Sequence, residues 1–389
     1  MSRTTILGIA ALACGSSLAL AESGIALGPD TKLHLTLDGQ VRFDDNVRLD
    51  SDNEKSDTVF VVAPGLDLNY NGGLSKGNVV VQEQIIRYGD VDELDGELFS
   101  AVGEYTYEGA MTKVAARAGY RELSQGSVTI RNREEAVRHD VGNASIDAVW
   151  SATAKTRIGS GLFYNSTTYP SGFYADHESY GLPVDLYYEV SPKLDVSLGY
   201  RYRRSLVDRP TALMPGQTWI SQDSKDHFFN VGARGEFTPK LNGQVRIGYG
   251  VRNFDEVATG LDDSQGQLSF MGALTYVYSP KASFDFSLSN DFSNSAYGTS
   301  QEILSFRSGG RFEFSPQWSA QAGLSYEQTS YAKPYDRDDD FISGDVGVVY
   351  TMNENVSVYA TYIHRTNSSN EDVYDLDSNV LSLGVSLRY

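Results

Sequence analysis

The chain has 389 residues and a formal net charge of −19, from 51 acidic and 32 basic residues. Such a charge excludes nucleic acid as a partner, since that binding rests on neutralising phosphates with Lys and Arg. A mean hydropathy of −0.33, with no apolar run of about 20 residues, also excludes helical membrane spans, but it leaves open a strand-built wall, whose faces alternate apolar and polar.

Taken in chain order, residues 1–21 read as a secretory signal. Arg3 gives the positive start, Ile6 to Leu20 the apolar run, and Ala19-Leu20-Ala21 a small-x-small cleavage site. Residues 22–389 then form one domain. Cys14, the only cysteine, lies inside the signal. Lipid attachment at Cys14 is the alternative, against which Ala11 stands three positions earlier where Leu is usual. On the favoured reading the mature chain has no thiol, which suits an oxidising compartment.

Period-2 alternation then predicts eighteen strands, near 31–43, 58–71, 77–88, 97–108, 111–123, 140–153, 155–166, 179–190, 194–206, 226–238, 240–254, 265–279, 281–293, 301–315, 317–330, 341–352, 356–367 and 376–389. Sixteen is the nearest competing count. Short turns and long loops separate them alternately. Five junctions in the second half repeat one pattern: an aromatic-rich strand end, a short turn, and a new strand at once. They lie around Pro192, Pro239, Pro280, Pro316 and Asn353. The last strand alternates most cleanly, with Leu381, Leu383, Val385, Leu387 and Tyr389 on one face and Ser382, Gly384, Ser386 and Arg388 on the other. The predicted fold is a transmembrane antiparallel up-and-down β-barrel. Its even strand count places both termini on the periplasmic side. A soluble β-sandwich or propeller is the competing fold; the aromatic strand ends and the missing blade motif argue against it.

Five predicted loop regions, at 44–57, 90–97, 255–263, 333–340 and 371–377, together carry −19, the whole formal excess. Within the strands, parity assigns Arg42, Arg117, Arg121, Arg157, Arg201, Arg203, Arg234, Arg246, Arg252, Arg307, Arg311, Arg365 and Arg388 to the lumen. An arginine facing lipid at mid-membrane would cost about 2–4 kcal/mol. Two readings stay open for this set. One is an electropositive path for an anionic polymer or solute. The other is wall stiffening through pairs with Asp38, Asp147, Asp185, Glu236, Asp285, Glu313 and Asp345. Segment 207–225, which carries Pro210, Pro215 and Trp219, is the candidate constriction.

The acidic loops suggest divalent cations shared with lipopolysaccharide phosphates. Asp336-x-Asp338-x-Asp340 begins like a calcium loop, but Phe341 stands where the glycine should be. Asp50-x-Asp52-x-Glu54 fails in the same way at Lys55. Solvated loops are the better reading, so no metal site is assigned. The five histidines show no metal-ligand spacing, and no nucleophile elbow, phosphate loop or H-E-x-x-H motif occurs. The expectation is a non-enzyme without a cofactor.

Two resemblances sharpen this reading. Ser382, Gly384, Leu387 and the terminal Tyr389 resemble the signal read by the outer-membrane barrel assembly machinery. Phe43-Asp44-Asp45-Asn46-Val47, followed by Ser56-Asp57 and Pro64-Gly65-Leu66, resembles the putative β-barrel porin 2 family. That family resemblance implies a barrel in the bacterial outer membrane, in contact with its lipid and lipopolysaccharide, and a role in exopolysaccharide export with an export apparatus as partner. On residues alone, Asp44-Asp45-Asn46 reads as a strand-to-loop cap. The expected function is a pore passing an exopolysaccharide or other anionic solute. The alternatives are a general small-solute porin, or an adhesin or receptor working through its loops.

Overall fold

The computed structural model describes residues 24–124, 137–211, 219, 222–257, 262–333 and 336–389; the proposed signal over 1–21 lies outside them. Nineteen strands form: β1 (Ile25–Gly28), β2 (Thr31–Asp44), β3 (Asp57–Gly72), β4 (Ser75–Tyr88), β5 (Gly96–Glu108), β6 (Thr112–Ser124), β7 (Arg138–Ser151), β8 (Thr156–Thr168), β9 (His177–Ser191), β10 (Leu194–Val207), β11 (Ser224–Thr238), β12 (Leu241–Phe254), β13 (Ser264–Ser279), β14 (Ala282–Asn294), β15 (Ser300–Glu313), β16 (Trp318–Tyr331), β17 (Asp338–Thr351), β18 (Val356–Ser369) and β19 (Leu376–Arg388). The four-residue β1 folds back on β2. The other eighteen each pair antiparallel with the next, and β19 returns to β2. The barrel is therefore closed and leaves no sheet edge, which a lipid environment demands.

The alternation in sequence becomes a two-faced wall. Along β19, Leu381, Leu383, Val385 and Leu387 point outward, as does Tyr389 just after it, each at least 39% exposed, while Ser382 is buried. Ser382 and Gly384 therefore face inward and Leu387 and Tyr389 outward. The same exposed apolar face recurs at Leu182, Val184 and Leu186 in β9, at Leu198 in β10 and at Val231 in β11. Leaving so much apolar area in water would forfeit about 25 cal/mol per Å², so the face belongs against hydrocarbon. Aromatic residues edge it at both ends, as with Tyr180 and Tyr188 on β9. Eight residues separate these two, which spans about 26 Å along a strand and about 20 Å across the wall once tilted by about 40°.

The short-turn end explains the repeated junctions. The Ser191, Ser279 and Ser315 Oγ and the Thr238 Oγ1 accept the backbone N–H two residues on (3.3–3.4 Å). Thr153 Oγ1 and Asn353 Oδ1 do the same without a following proline, at 3.2 and 2.9 Å. One hydroxyl or amide thus closes each turn. Two prolines sit in mid-strand and leave a mark. Pairing between β3 and β4 skips from Val62–Ile85 to Gly65–Gln82, beside Pro64. Pairing between β8 and β9 skips from Ser160–Val184 to Phe163–Gly181, beside Pro183. Proline has no N–H to give the ladder.

At the long-loop end the Phe43–Val47 motif fastens the barrel's seam. Asn46 is fully buried. Its amide donates to Asp50 O (2.9 Å) and to Asp377 O (2.8 Å) at the start of β19. Its own N–H is taken by Asp44 Oδ1 (3.0 Å), while Asp45 receives the Asn379 N–H (2.6 Å). Asp57 accepts four N–H groups, from Thr58, Gly89, Asp90 and Val91. The loop after β2 and the loop after β4 then bury Val47, Val59, Val61, Val91 and Leu94 together. Asn46→Ala strands two backbone carbonyls in this core. We expect a loss of about 1–3 kcal/mol, read as a lowered urea midpoint of the folded barrel.

Candidate permeation site

Outward Leu198 fixes the facing of β10: Arg201 and Arg203 lie on the opposite, inner face. The same parity puts Arg157 on the inner face of β8, Arg234 on that of β11, and Arg246 and Arg252 on that of β12. These six arginines converge into two networks.

The lower network, toward the short turns, is charge-balanced. Arg157 pairs with both Asp195 and Glu189. Arg234 Nε donates to Asp195 Oδ2 (3.1 Å), and its guanidinium lies 3.4 Å above the Tyr187 ring centre. Arg246 donates to Asp185 Oδ2 (3.1 Å) and to the Tyr187 hydroxyl (3.0 Å).

The upper network has three arginines and two acids. Asp226, fully buried, receives Arg203 Nε (2.6 Å) and both Nε (2.8 Å) and Nη2 (3.0 Å) of Arg252. Asp291 receives Arg201 (2.9 Å) and Arg203 (3.1 Å), one on each oxygen. Arg201 and Arg203 also lie 4.0 and 5.2 Å from the Phe228 ring centre. These five groups therefore sum to a net charge of +1, with Glu302 of the same hairpin in the field of Arg252.

Asp291 reaches these arginines because the wall splits beside it. β13 pairs with β14 only as far as Phe270–Asn290, although β13 begins at Ser264 and β14 continues to Asn294. Above that pair the β14–β15 hairpin leaves β13 and folds into the barrel. Phe292, which by parity should face lipid with Phe284, Phe286 and Leu288, is only 2% exposed. It packs on Phe228, with ring centres 6.0 Å apart, and beneath Arg252 at 4.9 Å. Arg252 Nη1 closes the contact by donating to Ser293 O (2.8 Å), Asn294 Oδ1 (3.2 Å) and Ser300 Oγ (2.8 Å). With its amide placed so that donors meet acceptors, Gln267 supplies the Phe292 N–H with a substitute for its lost strand partner (3.0 Å).

The hairpin tip lies against the neighbouring loops. Ala175 N–H donates to Ala296 O (2.8 Å). The Tyr174 ring centre is 5.8 Å from that of Tyr297 and 5.4 Å from that of Tyr169, and burial pushes all three phenols up from their ordinary pKa. Arg337 lies between the Tyr331 and Tyr374 rings, at 3.9 and 3.8 Å. Two residues of segment 207–225 meet the tip: the Trp219 ring lies against Gly298, whose φ is +77°, and Gln222 Oε1 accepts the Ser300 N–H (3.2 Å). Pro215 lies outside the described residues. Among the described residues the 291–301 hairpin folds into the barrel, and alternation presents its residues 291–293 and 301 as ordinary wall.

The remaining arginines are scattered on the inner face. Arg42 bonds Gln40 (3.1 Å), Arg365 reaches Ser378 (2.8 Å) and Asp44 (3.5 Å), and Arg117 pairs with Glu104 (3.3 Å). Arg311 pairs with Glu313 (3.5 Å) and Arg388 with Asp67 (2.8 Å). Arg121 and Arg307 form no ion pair with a described residue. Of the seven acids that sequence offered as partners, Asp185 and Glu313 pair with arginine. Asp38 takes Tyr359, Asp285 takes Thr275, and Glu236 takes Lys193. The main partners, Asp195, Asp226 and Asp291, share the inner face with the arginines; cross-strand register brings Asp195 and Asp226 to them, and the inward fold of the hairpin brings Asp291.

Alternation also disperses the acidic runs. Asp339 turns inward to Arg337 (3.1 Å), while Asp340 turns outward to Tyr326 (2.6 Å). Among the described residues no group of three His, Cys, Asp or Glu side chains could hold a metal ion. At the long-loop rim the Arg204 and Lys225 side chains, at 2.5 and 2.9 Å, hold the Asp255 carboxyl down to about 2. Its folded pKa lies below the unfolded value of about 4, so its stabilisation is complete above about pH 4 and is lost as pH falls through about 2. Asp255→Asn should therefore lower the thermal midpoint at pH 7, with the gap to the unsubstituted barrel closing near pH 2.

Residues 32–389 match the family described as "Putative beta-barrel porin 2". The chain belongs to that family. Of the residues that carried the resemblance, Asp44, Asp45, Asn46 and Asp57 make the loop fastening described above, whereas Pro64-Gly65-Leu66 lies within β3; the family is described as one of porins. Among solved structures it is similar to OccK2 (OpdF) of Pseudomonas aeruginosa in complex with glucuronate, with 11% identity, 92% of this chain and 98% of that chain covered, and a TM-score of 0.46. It is also similar to a BenF-like porin from Pseudomonas fluorescens Pf-5, with 11% identity, coverage of 94% and 100%, and a TM-score of 0.47. The siderophore receptor PiuA from Acinetobacter baumannii gives 10% identity, coverage of 94% and 82%, and a TM-score of 0.44. No match was found among curated proteins.

Proposed function

We propose that this porin-family barrel sits in the bacterial outer membrane and passes anionic solutes, with an exopolysaccharide or its uronate fragments as cargo. The observation that carries this reading is the upper network, where three arginines face two acids on the inner wall. Arginine forks match carboxylates in shape as well as charge. The long loops then face outward and the short turns face the periplasm, where an export apparatus would hand over its polymer. Ser382, Gly384, Leu387 and Tyr389 serve barrel assembly in this reading, and the acidic rim lies among lipopolysaccharide headgroups.

General diffusion of small solutes is the second reading, favoured by the charge balance of the lower network. Liposome swelling separates the two. The proposal expects galacturonate to enter faster than galactose, a neutral sugar of nearly the same size. Equal rates would favour the general porin.

A further inference from the structure

We propose that Asp291 and Phe292 form an internal ligand that occupies the barrel's own binding site for a ring-bearing carboxylate, and that a permeant of that class displaces them and opens the channel. The inference rests on the channel reading above and adds a site and a gate to it.

The site is built by the wall alone. Arg201 and Arg203 each offer Nη2, 2.9 and 3.1 Å from the two oxygens of the Asp291 carboxylate. Asp226 belongs to the wall and keeps Arg203 and Arg252 in place from behind. Beside the arginines lies Phe228, only 2% exposed because Phe292 covers it. A carboxylate gripped by two guanidinium groups next to a ring seated on an aromatic floor is the arrangement a uronate or an aromatic acid needs. The hairpin supplies both halves of it from two successive residues.

The sequence also provides a place for the hairpin when displaced. Continuing the β13–β14 register past Phe270–Asn290 sets Phe292 opposite Leu268, which is outward and 54% exposed. Phe292 would then join the lipid-facing row of Phe284, Phe286 and Leu288, completing an alternation that the inward state interrupts. Gln267 and Asn290 hold the split meanwhile, Asn290 by donating to Leu268 O (2.8 Å). The hairpin thus has two seats, each with its own contacts, and the ligand that takes Arg201 and Arg203 biases the choice.

The test uses the full-length barrel in planar bilayers, with galacturonate as probe and galactose as control. The unsubstituted barrel should show low conductance that rises several-fold with galacturonate and stays unchanged with galactose. Asp291→Asn should raise the conductance several-fold without a probe and abolish the response. A second form, Ala175→Cys with Ala296→Cys, pins the tip to its neighbouring loop; oxidised it should stay at low conductance with galacturonate, and reduction should restore the response. It decides the matter if Asp291→Asn does not fold. Unsubstituted conductance in Asp291→Asn, or a full galacturonate response in the oxidised cysteine form, overturns the gate. Reversal potential in the same bilayers separates the two failures. Retained anion preference with no gating effect sinks the gate alone, whereas absent anion preference sinks the channel reading beneath it.

Discussion

Asp226→Ala is expected to be the most damaging single change in the barrel, lowering stability by about 3–5 kcal/mol, the usual cost of breaking a buried ion pair from one side. Asp226 is fully buried and holds Arg252, itself 1% exposed, and Arg203. Without it Arg252 keeps the desolvation cost and loses the charge that offset it, and Arg203 is left with Asp291. The same arginines seat the hairpin, so unfolding and loosening of residues 291–301 should appear together. Urea titration followed by tryptophan fluorescence checks this, because Trp219 lies against the hairpin at Gly298. The double change of Asp226→Leu with Arg252→Met should cost less than Asp226→Ala alone, since it removes charge from both sides. A double change as costly as the two single ones summed would mean that Asp226 works through packing rather than charge.

The second large effect concerns selectivity. Arg201→Gln with Arg203→Gln takes the upper network from +1 to −1. We expect the preference to invert from anions to cations, with a change in permeability ratio on the order of tenfold, the low end of what a focused field does to local ion concentration. The same exchange at Arg157 and Arg234 should shift selectivity in the same direction but less, because Asp195 and Glu189 already compensate those charges. An equal shift from both pairs would mean that formal charge anywhere on the inner wall matters and the upper network is not special.

Much of the wall could be read from sequence because a strand encodes its faces locally. The largest boundary difference is at β17, which begins at Asp338 rather than at 341. The turns were legible for the same reason, since Ser191, Thr238, Ser279 and Ser315 each bond within two residues of themselves. The Asp44–Asn46 cap was legible as local backbone bonding. Its other half was not, because the Asp377 carbonyl lies 331 residues away. Arginine facing followed from parity, but partner choice did not. Asp195 meets Arg157 and Arg234 across strands, and only register says so. The hairpin was hidden for a sharper reason: Phe292 keeps the parity of a lipid-facing residue, so local pattern places it in the wall. What moves it inside is the contact with Phe228 and Arg252, on strands about 40 to 64 residues earlier.

The central claim is that the inner wall selects for anions. Its most direct test is the reversal potential of the unsubstituted barrel under a potassium chloride gradient. The account predicts a potential on the chloride side of zero that shrinks toward zero as salt rises and screens the arginines. A potential on the potassium side at every salt concentration would contradict it.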